Sequence, residues 1–260
     1  MQTQFTELTD AQWLHIAEHL PLNRKRKHDL RLIMNAILYV NRTGIQWRNL
    51  NFKNSFFPYW QIVYYYFSTW TKLGIIIEIN NKLVELERLR QEREALPSAN
   101  IIDSQSVKIA PFIPDDKGLD GGKKVNGRKR HIITDTLGLI VAVMVTAANV
   151  HDGKAGVTLF NLVMTRLKHT KCIFADSTYG GKFREAVEKN GIHLEIAARP
   201  ETIKGFVPVK KRWAVERTLG WTNFFRRLAK DYERNVLNSE SMIYLAHIQI
   251  MLNRLNDFNN

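Results

Sequence analysis

The sequence predicts an α/β protein, a mixed sheet flanked by helices, preceded by a small all-helical segment. Three observations carry that reading. Up to about residue 95, apolar residues recur at helical spacing. From residue 100 the texture changes to short β-branched runs bounded by turn residues. Those runs then alternate with helical stretches, the pattern of a sheet covered by helices. The textures meet at Pro97-Ser98-Ala99, so the expected domains are residues 1–97 and 98–260.

Composition narrows the partners. Of 260 residues, 45% are hydrophobic, enough for a sizeable core. The longest apolar runs are too short to span a bilayer and no N-terminal signal pattern stands out, so the expected location is cytoplasmic, with the nucleoid. A single cysteine, Cys172, excludes a disulfide framework and a thiolate metal site, and it reads as a small core residue. Lys and Arg number 38 against 25 acids, a net charge of +13. Such an excess calls for a polyanionic partner, and nucleic acid is favoured over a membrane surface because no basic amphipathic anchor is present.

Thr9-Asp10-Ala11-Gln12 is a capping box, and a helix is expected from there to about residue 19, stopped by Pro21. The basic cluster Arg24-Lys25-Arg26-Lys27 follows. A second helix over 28–41 places Leu30, Ile33, Ile37 and Val40 on one face and stops at Thr43-Gly44. A third, over 55–72, carries Trp60, Tyr64, Phe67 and Trp70 near helical spacing. Those rings read as the core of a helical domain, with base stacking as the lesser alternative. Helices two and three, joined through Gly44, form a weak helix-turn-helix pattern. A charged helix over 75–95, striped with Ile79, Leu83, Leu86 and Leu89, reads as a strut or a dimer seam.

Beyond Pro97 five strands are expected, over 100–108, 129–135, 139–147, 171–177 and 193–198. The short turn Asp135-Thr136-Leu137-Gly138 makes the second and third an antiparallel hairpin. Helices are expected within 149–168, over 181–190, over 211–231 and over 239–256.

Asp103 and Asp176 each close an apolar strand, and Glu216 lies on a basic amphipathic helix. If the two strands are neighbours, the aspartates meet at one sheet edge. Hard oxygen ligands of this kind suit Mg2+, with Mn2+ as substitute, and two such ions serve in-line phosphoryl transfer. Arg212, Asn223 and Arg227 fall near the face of Glu216 on the expected helix, where guanidiniums can hold phosphates. Trp213, Leu219, Phe224 and Leu228 are expected to point elsewhere, toward a core. An ordinary salt-bridged surface helix is the plainer alternative. Lys123, Lys124, Arg128, Lys129 and Arg130 form a second basic patch where a phosphodiester backbone is expected to lie. His131, His151 and Asp152 lack metal-ligand spacing and read as structural or supporting residues.

Four ordered stretches, NIIDSQSVK, GKKVNGRKRHIITDTLGLI, FADSTYGG and RWAVERTLGWTNFFRRLAKDYER, resemble the DDE transposases of insertion sequences. The branch they most resemble lies around insertion-sequence families four and five, and the similarity takes in TGIQWRNL of the helical part. The resemblance implies a ribonuclease H-like catalytic domain with Asp103, Asp176 and Glu216 as catalytic, metal-binding acids. It implies Mg2+-dependent cut-and-paste chemistry on double-stranded DNA, at terminal inverted repeats and at a target, by a homodimer or higher oligomer. The rival is a domesticated DNA-binding protein that keeps the fold without catalysis. One departure stands out. The family pattern around the glutamate, Tyr-x2-Arg-x3-Glu-x6-Lys, is met by Arg212 and Glu216 but has Val209 and Asn223 at its ends, leaving Arg226 or Arg227 to supply the cation.

Overall fold

The computed structural model describes residues 5–22, 25–50, 56–196 and 213–256. The chain divides into two compact units, residues 1–87 with 222–260, and residues 88–221. This differs from the division expected at Pro97. The boundary falls earlier, and the last stretch belongs by its packing to the helical unit.

In the helical unit, α1 (Asp10–Ala17) begins at the expected capping box, with Thr9 and Gln12 satisfying each other's backbone N–H groups. Helix α2 (Leu30–Thr43) is capped by the Asp29 carboxylate and ends at Gly44, whose φ of 72° is the left-handed conformation a glycine adopts without strain. A side chain there would also strike Arg226, whose Cβ lies 3.0 Å from the position a Cβ would take. Helix α3 (Trp60–Lys72) buries Val63, Phe67 and Trp70. The Trp47 ring meets Tyr64 edge-on and lies tilted against Phe67, and Phe67 and Trp70 are core, as the spacing suggests, while Trp60 and Tyr64 are half-buried. Residues 44–59 separate α2 from α3, which is much longer than the turn of a helix-turn-helix motif, and the two helices do not form one.

Helix α4 (Ile75–Arg90) is shorter than expected. Ile79 and Leu83 of its stripe are buried, while Leu89 is exposed. The buried face continues instead through Asn80 and Glu87. Asn80 is bonded to His247 at 2.7 Å, and Glu87 faces Arg254 at 3.9 Å. The last helix, α8 (Val236–Asn256), is apolar nearly all round and buries Met242 to Ile248. A helix of that kind needs cover on every side, and α1, α2 and α3 provide it. Asn41 of α2 donates to the Met242 carbonyl at 3.0 Å.

The second unit is built on a mixed sheet. Its strands are β1 (Ala99–Lys108), β2 (Gly118–Asp120), β3 (Val125–Asp135), β4 (Ile140–Ala147), β5 (Cys172–Ala175) and β6 (His193–Ile196). The path runs β2-β3-β1-β5-β6, with β4 also on β3. Strand β3 is antiparallel to both of its long neighbours, β1 and β4, and β5 and β6 continue the sheet parallel to β1. A sixth strand, β2, lies between the first two strands that the sequence predicts.

Helices α5 (Asp152–Leu162) and α6 (Lys182–Glu188) cover one face. Leu159, Phe160, Phe183 and Val187 pack there on Ile102, Ile133, Ile173 and Leu194. Helix α7 (Trp213–Thr222) covers the other face, with Ala214 and Val215 on Ile101 and Phe174. Cys172 is half-buried at the margin of that second cluster. The helix expected over 211–231 ends at Thr222. Phe225 is buried three residues later, and a 3-10 turn at Arg226–Leu228 follows. No helix among the described residues is long and apolar enough to cross a membrane.

Candidate active site

Parallel pairing of β1 with β5 sets Asn100 opposite Ile173 and Ile101 opposite Phe174. Asp103 and Asp176 stand two residues beyond that last pair. Side chains alternate along a strand, so both carboxylates share the face of Ile101 and Phe174. That is the face α7 covers, and Glu216 follows Val215 on this helix. Two bonds anchor α7 to the β3–β4 turn. Arg217 donates to the Leu137 carbonyl at 2.7 Å and the Thr218 hydroxyl to Gly138 at 2.6 Å.

All three acids are half-buried. Asp103 accepts the Ser104 N–H at 2.7 Å. Asp176 caps the turn after β5 through the Thr178 N–H at 2.9 Å and the Thr178 hydroxyl. The Tyr179 phenol is pushed well above its ordinary pKa, first by burial and then by the Asp152, Asp103 and Asp176 carboxylates. Negative charge is therefore concentrated at this edge. Among the described residues no three His, Cys, Asp or Glu side chains stand close enough to hold an ion between them. The two aspartates form the register-matched pair, and Glu216 is a third acid on the covering helix.

The basic residues separate into two groups. Lys123 and Lys124 are exposed at the β2–β3 turn, where the Lys123 ammonium reaches the Ser104 carbonyl at 3.4 Å. Arg128, Lys129 and Arg130 are buried, with exposures of 0%, 6% and 2%. Strand β3 is flanked by β1 and β4, so this run lies within the sheet rather than on a surface a DNA backbone meets. Arg128 donates to the Asp116 carbonyl at 3.2 Å and Arg130 to Gln105 at 3.4 Å.

Arg212 lies outside the described residues, as do Val209 and Arg24. Asn223 and Arg227 are not on the Glu216 helix, which has already ended. Arg227 is buried in an ion pair with Glu233 at 2.7 Å, its guanidinium near the rings of Trp47 and Tyr232, whereas Arg226 is exposed. Trp213 and Phe224, expected in the core, are exposed by 51% and 55%. Trp213 instead lies with Trp221 against the Arg217 guanidinium, at 4.5 and 4.7 Å, a ladder set by i, i+4 spacing.

A family profile described as the transposase DDE domain matches residues 94–251, and one for a putative transposase of the IS4/5 family matches residues 8–80. The chain belongs to the DDE transposase family. It is 35% identical over 116 residues to a putative transposase for insertion sequence element IS402 from Burkholderia cepacia, covering 42% of this chain. The match spans about half (54%) of that relative's length. Among solved structures, the Mos1 strand transfer complex is similar at 10% identity and a TM-score of 0.30, over 90% of this chain and 78% of that one. The Mos1 transposase paired-end complex is similar at 11% and 0.29, with the same coverage.

One feature of this chain escapes a sequence reading. Arg88 forms a buried ion pair with Asp135, whose carboxylate also accepts the Leu137 and Leu139 N–H groups at 2.9 and 2.8 Å. Burial raises the Asp135 pKa, and those bonds, with Arg88, oppose the rise. The turn residue is thereby also a buried charge. Asp152, which the sequence reads as a structural or supporting residue, stands near Tyr179 with Asp103 and Asp176.

Proposed function

We propose that this chain is a Mg2+-dependent transposase that binds the terminal inverted repeats of its element, cuts the DNA there and joins the freed end to a target. The observation that carries the reading is the placement of Asp103 and Asp176 on neighbouring parallel strands, facing the helix that bears Glu216. Mg2+ is commonly held by one or two carboxylates while water and substrate phosphate fill its other positions, and this pair of aspartates fits that requirement. Asp103 and Asp176 would hold the metal, with Glu216 as the third acid; Mn2+ is the expected substitute. A divalent ion held there would lower the pKa of a bound water and offset negative charge on the phosphoryl group.

The protein's own groups do the rest. Half-burial of the three acids restricts competing water, and Asp176 is oriented by its two bonds to Thr178. Exposed Lys123, beside Ser104, supplies a cation for the phosphodiester, with Lys124 next to it. Exposed Arg226 is the candidate cation in place of the family lysine. The helical unit is assigned to repeat recognition and to pairing of copies on DNA, because a strand cut at each element end must be held by some second contact.

The test is incubation with duplexes spanning the boundaries of the protein's own element, with Mg2+ and with chelator. Metal-dependent nicking at the boundary is the expected result. Binding without any metal-dependent cutting would favour a regulator that keeps the fold alone.

A further inference from the structure

We propose that the turn His151-Asp152-Gly153 opening α5 is the positioning element for the two strand-end aspartates, with Asp152 and Lys129 as its ionic lock. The inference rests on the reading of Asp103 and Asp176 as the paired acids.

Asp152 touches the first of them through the neighbouring residue. Its Oδ1 accepts the Ser104 hydroxyl at 3.0 Å, and Ser104 follows Asp103 on β1. The same oxygen lies 3.1 Å from Lys129 Nζ on β3. That ammonium also donates to the Val150 carbonyl at 3.0 Å and lies 3.7 Å from Asp120, which accepts the Ser106 hydroxyl at 2.5 Å. The lysine side chain is only 8% exposed and that of Asp152 18%, so this pair is little screened by water.

The other side of the turn seats the segment after Asp176. A Cβ at Gly153 would come within 2.9 Å of the Thr178 carbonyl, and one at Gly156 within 3.0 Å of the Tyr179 ring. Both glycines are therefore needed for α5 to lie this close to the turn that Asp176 caps. His151 fixes the start of the helix by accepting the Gly153 N–H at 3.1 Å. One helical turn thus grips β1 next to Asp103, β3 through Lys129, and the chain just past Asp176. The spacing of two carboxylates that must share an ion is thereby set by groups on the elements that flank them. In the sequence the turn is Val-His-Asp-Gly, whose His151 and Asp152 read as structural or supporting residues without naming what they support.

The test compares Asp152→Ala, Asp152→Asn and Lys129→Met with wild type in three measurements. These are Mn2+ binding to the DNA-free protein by electron paramagnetic resonance, single-turnover cleavage, and Kd for DNA. Removing a group that orients a ligand characteristically lowers metal affinity or activity about 10–100-fold. Asp152→Ala is expected to lose about that much in both Mn2+ affinity and cleavage, with the DNA Kd within about twofold of wild type. Asp152→Asn, which keeps an acceptor for Ser104 but not the charge, should fall between. Wild-type Mn2+ affinity and cleavage in Asp152→Ala would overturn the inference. So would a loss confined to DNA binding. Should the alanine variant unfold, Asp152→Asn decides by the same readouts, and wild-type values there count against the lock. Asp103→Asn and Asp176→Asn serve as controls. If they bind Mn2+ and cut like wild type, the paired-acid reading itself is wrong; if they fail while the Asp152 variants do not, only the positioning role is lost.

Discussion

Ile101 and Phe174 stand opposite each other on parallel strands, and each is followed two residues later by an aspartate on the same face. Neither strand alone brings one aspartate level with the other; the register does. The expectation is that Asp103→Asn, Asp176→Asn and Glu216→Gln each reduce strand cleavage by a thousandfold or more, an order of magnitude typical of lost charge stabilisation at a reacting phosphate. Melting temperature and DNA affinity should stay near wild type, because the three acids are half-buried and lie at the edge of the packing rather than within it. Cutting at the wild-type rate by any one variant removes that residue from the site.

Arg227 and Glu233 are a different kind of pair. Their side chains are 8% and 6% exposed, and the Arg227 Nε and Nη2 both reach Glu233 Oε1 at 2.7 Å. Removing one partner leaves a buried charge alone, which costs roughly 3–5 kcal/mol. Glu233→Gln and Arg227→Met should therefore destabilise the helical unit strongly in urea unfolding, and the double variant by less than the sum. A variant that binds DNA poorly yet unfolds at the wild-type midpoint would return Arg227 to the list of DNA contacts.

These contrasts show what the sequence reveals. The capping box at Thr9, the stop at Gly44 and the turn after Asp135 are local signals, and each is found where the sequence places it. The end of α7 is not local. Residues 223–231 keep a helical pattern, but burial of Phe225 and Arg227 turns the chain away. A charge run normally reads as solvated, but Arg128 and Arg130 lie buried on a central strand, their guanidiniums bonded to the Asp116 carbonyl and to Gln105. Arg88 pairs with a residue in a distant turn, which no spacing rule reveals. At the site, the two aspartates are legible as strand ends and Asp152 as a supporting residue, but its partners Ser104 and Lys129 lie on two other elements and no spacing names them.

The two halves of the basic stretch should respond differently to neutralisation. Lys123→Gln with Lys124→Gln is expected to weaken binding to every duplex sequence and to reduce the salt slope by about one to two, since phosphate contacts release counterions. Arg128→Met or Arg130→Met should instead lower stability. Titrations at several salt concentrations, with unfolding curves beside them, separate the outcomes. A changed salt slope in a fully stable Arg130 variant would contradict the burial argument.

Two buried histidines make stability depend on acid. Burial lowers the His131 pKa to about 4, with nearby Asp152 opposing and Lys129 and Lys123 adding to the fall. Burial also lowers that of His247 to about 3, with a smaller contribution from Arg254. Below about pH 6.5 the unfolded chain takes up protons on these rings while the folded protein does not, so stability falls as pH falls. Each ring then costs up to about 1.4 kcal/mol per pH unit until its folded pKa is reached. The midpoint of urea unfolding should drop between pH 6.5 and 5, above the ordinary carboxylate range. Replacing His247 by Gln, which keeps a donor for Asn80, should flatten that slope by about one proton. An unchanged slope would mean His247 already accepts a proton in the folded state.

A fragment ending near Pro97 provides the last test. The composition break suggests that such a piece folds alone and reads the terminal repeat. Packing argues otherwise, because α8 supplies the partner for α1, α2 and α3, and Asn41 and Asn80 of the fragment bond to Met242 and His247 of α8. Without residues 222–260, buried apolar side chains such as Ile33, Ile37 and Phe67 lose cover, leaving an apolar patch that promotes association. The fragment is expected to aggregate or to show no cooperative unfolding. Joining residues 1–87 to 222–260 through a flexible linker should restore a cooperative transition, because both compact stretches of the unit are then present. If the fragment ending at Pro97 unfolds cooperatively as a monomer, α8 is dispensable to the helical core. If only the joined piece does, its affinity for repeat DNA over scrambled DNA at fixed salt then tests whether recognition lies in the helical unit.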